Sequence, residues 1–272
     1  MTGFDAVRLF RTQEHAEQFV RGKLFMTRLS IFREAEDERK GVGDSCEGRR
    51  AAMLPEGARL FIDVSNIGVV ESGENREREW MECPKSTNEP FLTFSGCDDA
   101  FILCATDISA ALVPCDQDNQ DGQAFTWSTD YLEFEGQYEF AVLFRIEEVE
   151  MRLLGFAKSR GLHFLSGPVE YSDDVLCPEE TLDAMCGPVD AREFILRKRT
   201  KFSNQNEYRF ALLPTSEMVA QGKRLEVGKE HLDANVGPIA SSLLVPVEVL
   251  HSVRFRKKEG RVTGDAMAST GK

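Results

Sequence analysis

Apolar positions in this chain come in short bursts, separated by charged stretches punctuated with Gly and Pro. The bursts with partial alternation predict strands over Ala6–Phe10, Arg59–Val64 with a continuation to Val70, Ala100–Ala105, Tyr138–Ile146, Val169–Tyr171, Glu207–Leu213 and Val253–Phe255. Between them lie helix patterns. Gln13–Val20 carries Ala16, Phe19 and Val20 at helical spacing and is closed by Gly22. Thr27 suits the cap of Leu29–Glu38, Asp107 that of Ile108–Leu112, and Asp190 that of Ala191–Arg199. Ser241–Val249 is a weaker helix because Pro246 interrupts it. The mixture has no βαβα rhythm, which predicts an α+β fold with a curved, mainly antiparallel sheet and flanking helices. No internal repeat or long linker divides the chain. The expectation is one domain over 1–258, with 259–272, small and polar, as a flexible tail.

Composition narrows the function. The 272 residues hold 33 basic and 46 acidic side chains, for a net charge of -13. Such a field opposes non-specific binding of nucleic acid as the main task. No apolar run approaches the ~18 residues of a membrane span, so no membrane partner is expected. The start of the chain lacks a basic and apolar leader. The seven cysteines form no C-x-x-C pair, so the expectation is reduced thiols in a cytoplasmic protein. There is no G-x-G-x-x-G after a strand, no phosphate loop and no H-E-x-x-H.

The segment from Lys198 to Phe210 carries the most chemistry. It reads as a basic helix end, a polar loop and a strand. Alternation puts Gln205, Glu207 and Arg209 on one face, and Asn206, Tyr208 and Phe210 on the other with the aromatics turned to a core. A carboxylate between an amide and a guanidinium is well placed to be ionised and oriented. A solvated face with a satisfied ion pair is the plainer alternative.

Several motifs keep a common order along the chain. They are Phe10-Arg11, Gly22-Lys23-Leu24-Phe25, Asp44-Ser45-Cys46-Glu47-Gly48, Phe101 to Thr106, Trp127-Ser128-Thr129-Asp130-Tyr131 with Gly136, Val169-Glu170-Tyr171, and Lys198 through Phe202 and Gln205 to Glu207-Tyr208-Arg209. The ordered set resembles a bacterial family known only as a domain of unknown function. This chain departs from its pattern at Gly43-Asp44-Ser45, in place of Asn-Asp-Pro, at Phe202, in place of Trp, and at Gln205, in place of Glu. The last segment is also similar to the closing strand of bacterial DNA-modifying ADP-ribosyltransferase toxins. That resemblance implies a split-sheet, ADP-ribosyltransferase-like fold that uses NAD as substrate. It implies Glu207 as the catalytic carboxylate, Gln205 as the group that positions the acceptor, and Arg11 or Arg8 on the opening strand as the clamp on pyrophosphate. The acceptor would be a nucleobase or a protein side chain, and the setting a toxin or phage-defence effector with a possible antitoxin partner. On this reading Glu207→Ala abolishes NAD turnover without unfolding the chain.

Other candidates carry two readings each. Trp127, Ser128 and Tyr131 could stack on a base and bond a ribose, with Arg209 completing the cofactor contacts, or be ordinary packed residues. Arg8 and Arg11 could instead be edge charges. Asp44 and Glu47 could face a ligand or a helix N-terminus. Basic side chains at 192–201 and 254–261 could form a positive rim or a solvated face. Two further function classes remain open: a non-enzymatic nucleotide- or protein-binding module of a defence or toxin–antitoxin system, and a hydrolase or nuclease using Asp44, Glu47 and Glu207 around a metal.

Overall fold

The computed structural model describes residues 3–34, 48–53, 61–63, 80–82, 91–93, 97–114, 124–128, 137–177, 179–181, 190–215, 217–218, 230–250, 253–258 and 261–266. In chain order the elements are β1 (Ala6–Phe10), α1 (Gln13–Val20), β2 (Lys23–Arg28), α2 (Leu29–Glu34), β3 (Arg49–Ala51), β4 (Phe61–Asp63), β5 (Trp80–Glu82), β6 (Phe91–Thr93), β7 (Phe101–Asp107), α3 (Ile108–Ala111), β8 (Leu112–Pro114) and β9 (Ala124–Trp127). They continue with β10 (Phe140–Phe144), α4 (Ile146–Arg160), β11 (His163–Pro168), β12 (Glu170–Tyr171), α5 (Arg192–Ile195), β13 (Arg197–Lys198) and a 3-10 turn (Thr200–Gln205). The last are β14 (Glu207–Leu213), β15 (His231–Asn235), β16 (Leu243–Pro246), α6 (Val247–Leu250), β17 (Val253–Lys258) and β18 (Arg261–Ala266). The fold is mixed α+β with a mostly antiparallel sheet and flanking helices.

The chain divides into two compact units where one domain was expected. The first holds Met1–Gly48, Phe94–Asp173 and Asp190–Lys272, and the second Arg49–Thr93 and Asp174–Val189. In the second unit β3 pairs with β6, β4 pairs with β5, and Ala52 bridges Leu176. The tail expected from residue 259 contains a strand: β18 pairs antiparallel with β17 from Val253↔Ala266 to Lys258↔Arg261.

The first unit is built on an eight-stranded sheet of order β11-β14-β7-β1-β10-β16, with β2 joining β7 to β15. Its centre is buried on both faces, which is why β10, Phe-Ala-Val-Leu-Phe, is apolar throughout. On one face Ala6, Val142, Phe144, Phe210 and Leu212 pack against Ala16 and Phe19 of α1 and Val149, Leu153 and Ala157 of α4. On the other, Val7, Ala141 and Leu143 pack with Ile108 of α3, Leu250 of α6, Trp127 and Phe255. Thr12 caps α1 through its side chain and Asp107 caps α3. Gly161, left-handed at φ 65°, ends α4, and the next amide, Leu162, returns to the Ala157 carbonyl at 2.9 Å. Gly22 follows α1 at φ 75°, and the backbone of Gly237 passes so close that a Cβ at Gly22 would lie 1.7 Å from its carbonyl oxygen, so both the conformation and the space call for glycine.

One feature of this sheet makes room for a site. Along one edge of β7, β14 pairs continuously from Glu207↔Thr106 to Leu212↔Phe101. The other edge is shared. β2 takes its start, Thr27↔Ile102 and Arg28↔Phe101, and β1 takes its end, Ala6↔Asp107 and Val7↔Thr106. Between those pairings, among the described residues, Leu103 to Ala105 meet no strand on that side. The sheet is split there. Among the described residues no helix is long and apolar enough to cross a membrane.

Candidate active site at the sheet split

A cavity of about 330 Å³ opens at the split. Its wall combines Arg8 of β1, Thr27 of β2, Cys104 and Thr106 of β7, and Lys198, Gln205, Glu207 and Arg209 from the segment that ends in β14, with Tyr138 and Phe32 nearby. Three cations and one carboxylate give the wall a positive balance.

Glu207 is the first residue of β14 and is 6% exposed. Its carboxylate accepts from Arg209 Nε at 2.5 Å and from Lys198 Nζ at 3.2 Å. Burial alone would raise its pKa, but the Arg209 and Lys198 charges outweigh burial and hold it well below the usual carboxylate range. Its amide N–H donates to Tyr171 Oη at 2.8 Å. Burial, then the Glu207 charge, push the Tyr171 phenol up to about 12, so it stays neutral. The Cys104 thiol hydrogen-bonds the same carboxylate. Burial and the Glu207 charge push its pKa up strongly, which leaves it a protonated donor and a poor nucleophile.

The cations differ in what they do. Arg209, 1% exposed, also donates Nη1 to the Ile195 carbonyl at 2.7 Å. Lys198 is held by Glu207 and by Gln205 Oε1, at 2.8 Å from the latter. Arg8 donates to the Cys104 carbonyl, on the β7 edge that the split exposes. Its acceptor there is neutral. Burial pulls the Arg8 pKa below the ordinary guanidinium value, against the opposing influence of Cys104, Tyr138 and Glu207.

Of the residues proposed from sequence, Glu207, Gln205, Arg209 and Arg8 share this cavity. Tyr208 and Phe210 do face the core, as alternation requires. Gln205 is not on the strand, however. It ends the 3-10 turn, and Asn206, left-handed at φ 44°, separates it from β14. Asn is among the few side chains that tolerate that conformation. Arg11 follows β1, is exposed, and is not part of the cavity wall; the opening-strand arginine that lines it is Arg8. Trp127 is a core residue rather than a stacking surface. It is 2% exposed, meets Phe255 edge to face at 5.1 Å, and donates Nε1 to the Leu250 carbonyl at 3.0 Å. Ser128 donates its amide to Ala111 and does not line the cavity. Tyr131, Asp44 and Glu47 lie outside the described residues. Among the described residues no cluster of three or more His, Cys, Asp or Glu side chains could hold a metal ion.

Lys198 was expected only as one of the basic side chains of a positive rim or solvated face, and Cys104, Tyr171 and Tyr138 were not expected at the site. Lys198 stood among several surface-like basic residues, and only its single exposure of 5% separates it from them. Comparison with protein-family models, with curated proteins and with solved structures finds no match, so the chemistry of the cavity carries the functional argument.

Proposed function

We propose that this chain is an NAD-cleaving, ADP-ribosyltransferase-like enzyme. The observation that carries the reading is that Arg8, from the opening strand, and Glu207, from a late strand, line one cavity at the split of an antiparallel sheet. Arg8 would hold an NAD phosphate in the forked geometry that a guanidinium offers. The positive wall favours that anion. Glu207, fixed and ionised, would stabilise the ribosyl cation as the glycosidic bond breaks and neutral nicotinamide leaves with the bonding electron pair. An acceptor nitrogen or oxygen positioned by Gln205 would then bond to C1′ and lose its proton. About 330 Å³ lies at the small end of ligand sites, which suits the nicotinamide ribosyl phosphate half of NAD rather than the whole dinucleotide.

A second reading has its own observation. Glu207 is already held by two cations, so part of its charge is committed before any ligand arrives. That favours a module that binds a nucleotide through its positive wall without cleaving it, as a defence or toxin–antitoxin component would. Labelled NAD incubated with the protein and a cell lysate separates the two. The enzyme releases nicotinamide and transfers label to protein or nucleic acid, and Glu207→Gln stops release while NAD still binds. Saturable binding with no release favours the module. Neither release nor binding sinks both.

A further inference from the structure

The parallel pair β12–β13 brings two side chains to the start of β14. Tyr171 and Lys198 are register partners on it. Tyr171 receives the Glu207 amide at 2.8 Å. The Lys198 side chain is 3% exposed. Its ammonium lies 2.8 Å from Gln205 Oε1, 3.2 Å from Glu207 Oε2 and 4.8 Å from the centroid of the Phe202 ring. A buried ammonium is tolerable only among acceptors, and here an amide oxygen, a carboxylate and an aromatic face supply them.

Gln205 and Glu207 need such a link. In an extended strand, residues two apart share a face without help. Here the left-handed Asn206 lies between a 3-10 turn and the strand, so the backbone does not impose that alignment. The ammonium spans the two side chains instead. We infer that Lys198 is the positioning residue of this site, clamping the Gln205 amide and the Glu207 carboxylate into one preorganised pair across the turn. The inference rests on the reading above, in which those two groups face the reacting ribose and the acceptor.

The groups around Glu207 are Lys198 from β13, Arg209 from β14, the Cys104 thiol from β7, the Tyr171 phenol from β12 and, farther off, Arg8 from β1. Arg209 would remain if Lys198 were neutralised, but the charged donor that Glu207 and Gln205 share would be lost. The test uses the full chain with carbon-13-labelled glutamate, Glu207 being assigned by its loss in Glu207→Gln. In Lys198→Gln, which keeps a donor without the charge, the Glu207 carboxyl midpoint rises by about one pH unit or more. The kcat for nicotinamide release falls about tenfold, with KM for NAD within about threefold. The acid limb of the pH–rate profile moves with the carboxyl midpoint, and Lys198→Arg restores both. An unmoved midpoint overturns the clamp whatever the rate does. A raised midpoint in a chain whose wild type releases no nicotinamide keeps the clamp and removes the NAD reading. If Lys198→Gln does not fold, the wild type answers: the Gln205 side-chain amide signals follow the Glu207 titration through the shared ammonium, and signals that ignore it overturn the clamp.

Discussion

Truncating Glu207 tests the cavity and the fold together. Glu207→Ala removes the carboxylate from between Lys198 and Arg209, whose side chains are 3% and 1% exposed. Two cations are then left in a poorly solvated place. Breaking a buried pair by removing one partner costs about 3–5 kcal/mol, because the survivor keeps its desolvation penalty without its compensation. Lys198 keeps Gln205 and Arg209 keeps the Ile195 carbonyl, which argues for the lower end of that range. At about 2–4 °C per kcal/mol for a chain of this size, the melting temperature falls by roughly 6–12 °C for a loss near 3 kcal/mol. Glu207→Gln keeps the volume and one acceptor oxygen, and should cost about 2 kcal/mol. Glu207→Ala was expected to leave the chain folded; burial of Glu207 between two cations predicts a folded but destabilised variant. Glu207→Gln is therefore the variant for activity. The pH dependence has a definite sign. The folded-state pKa is depressed, so this stabilisation is complete above the ordinary carboxylate range and fades as pH falls toward the folded value. The gap between wild type and Glu207→Gln should narrow from about pH 7 to about pH 3. Thermal melts over that range check both claims. A Glu207→Ala variant melting within about 1 °C of wild type near neutrality would refute the reasoning.

Other consequences are as direct. Arg8→Lys, which keeps the charge and loses the fork, should weaken NAD binding about tenfold in calorimetry, while Arg11→Lys leaves it unchanged; an equal loss at Arg11 would relocate the clamp. Trp127→Phe leaves the buried Leu250 carbonyl without its indole partner and should cost about 1–3 kcal/mol of stability in denaturant melts, with NAD affinity intact. Glu148 accepts from the Ala240 and Ser241 amides, Ser241 Oγ and Arg152, which together overcome burial and hold its pKa at about 2. Glu148→Ala should therefore destabilise the chain by about 3 kcal/mol near neutrality, a difference that shrinks as pH falls below the ordinary carboxylate range and toward that value.

Local signals carried the parts of the fold that local chemistry decides. β1, α1 and β14 appear with the limits the pattern gives, because each couples a clear period to a cap or a turn residue. The alternation in β14 also put Glu207 and Arg209 on one side and Phe210 in the core. α4 is not among the expected helices, although Val149, Leu153 and Ala157 recur at helical spacing and Gly161 closes it. Its many charges and internal Gly155 hide the narrow apolar stripe. The Asp190 helix is shorter than expected: α5 ends at Ile195 and the chain turns into β13, a change that places Lys198 beside Glu207. Ser241–Val249 resolves into β16 and then the short α6, with Pro246 at the join. No local signal could say which opening-strand arginine shares a cavity with Glu207. That depends on β7 passing from β2 to β1 partway along its edge, a property of pairing between segments far apart in the chain.

The split and the charges are two sides of one arrangement. Where, among the described residues, β7 lacks a strand neighbour on one edge, its backbone needs another partner, and the Cys104 carbonyl takes the Arg8 guanidinium. That brings a cation to the cavity without committing it to a carboxylate at that contact. On the other edge of β7, β14 delivers Glu207 already bound by Lys198 and Arg209. An apolar filling of similar volume would hold such a site together at least as well as buried ions do. Stability alone therefore gives no reason for the chain to spend desolvation free energy on four charged side chains around one hollow. A ligand does give a reason, if it carries an anion for Arg8 and develops positive charge beside Glu207. NAD breaking at its ribose meets both requirements. A ligand that was merely anionic would need the cations and would gain nothing from the acid, which is why Glu207→Gln, and not any of the arginine variants, is the substitution that tells an enzyme from a binding site.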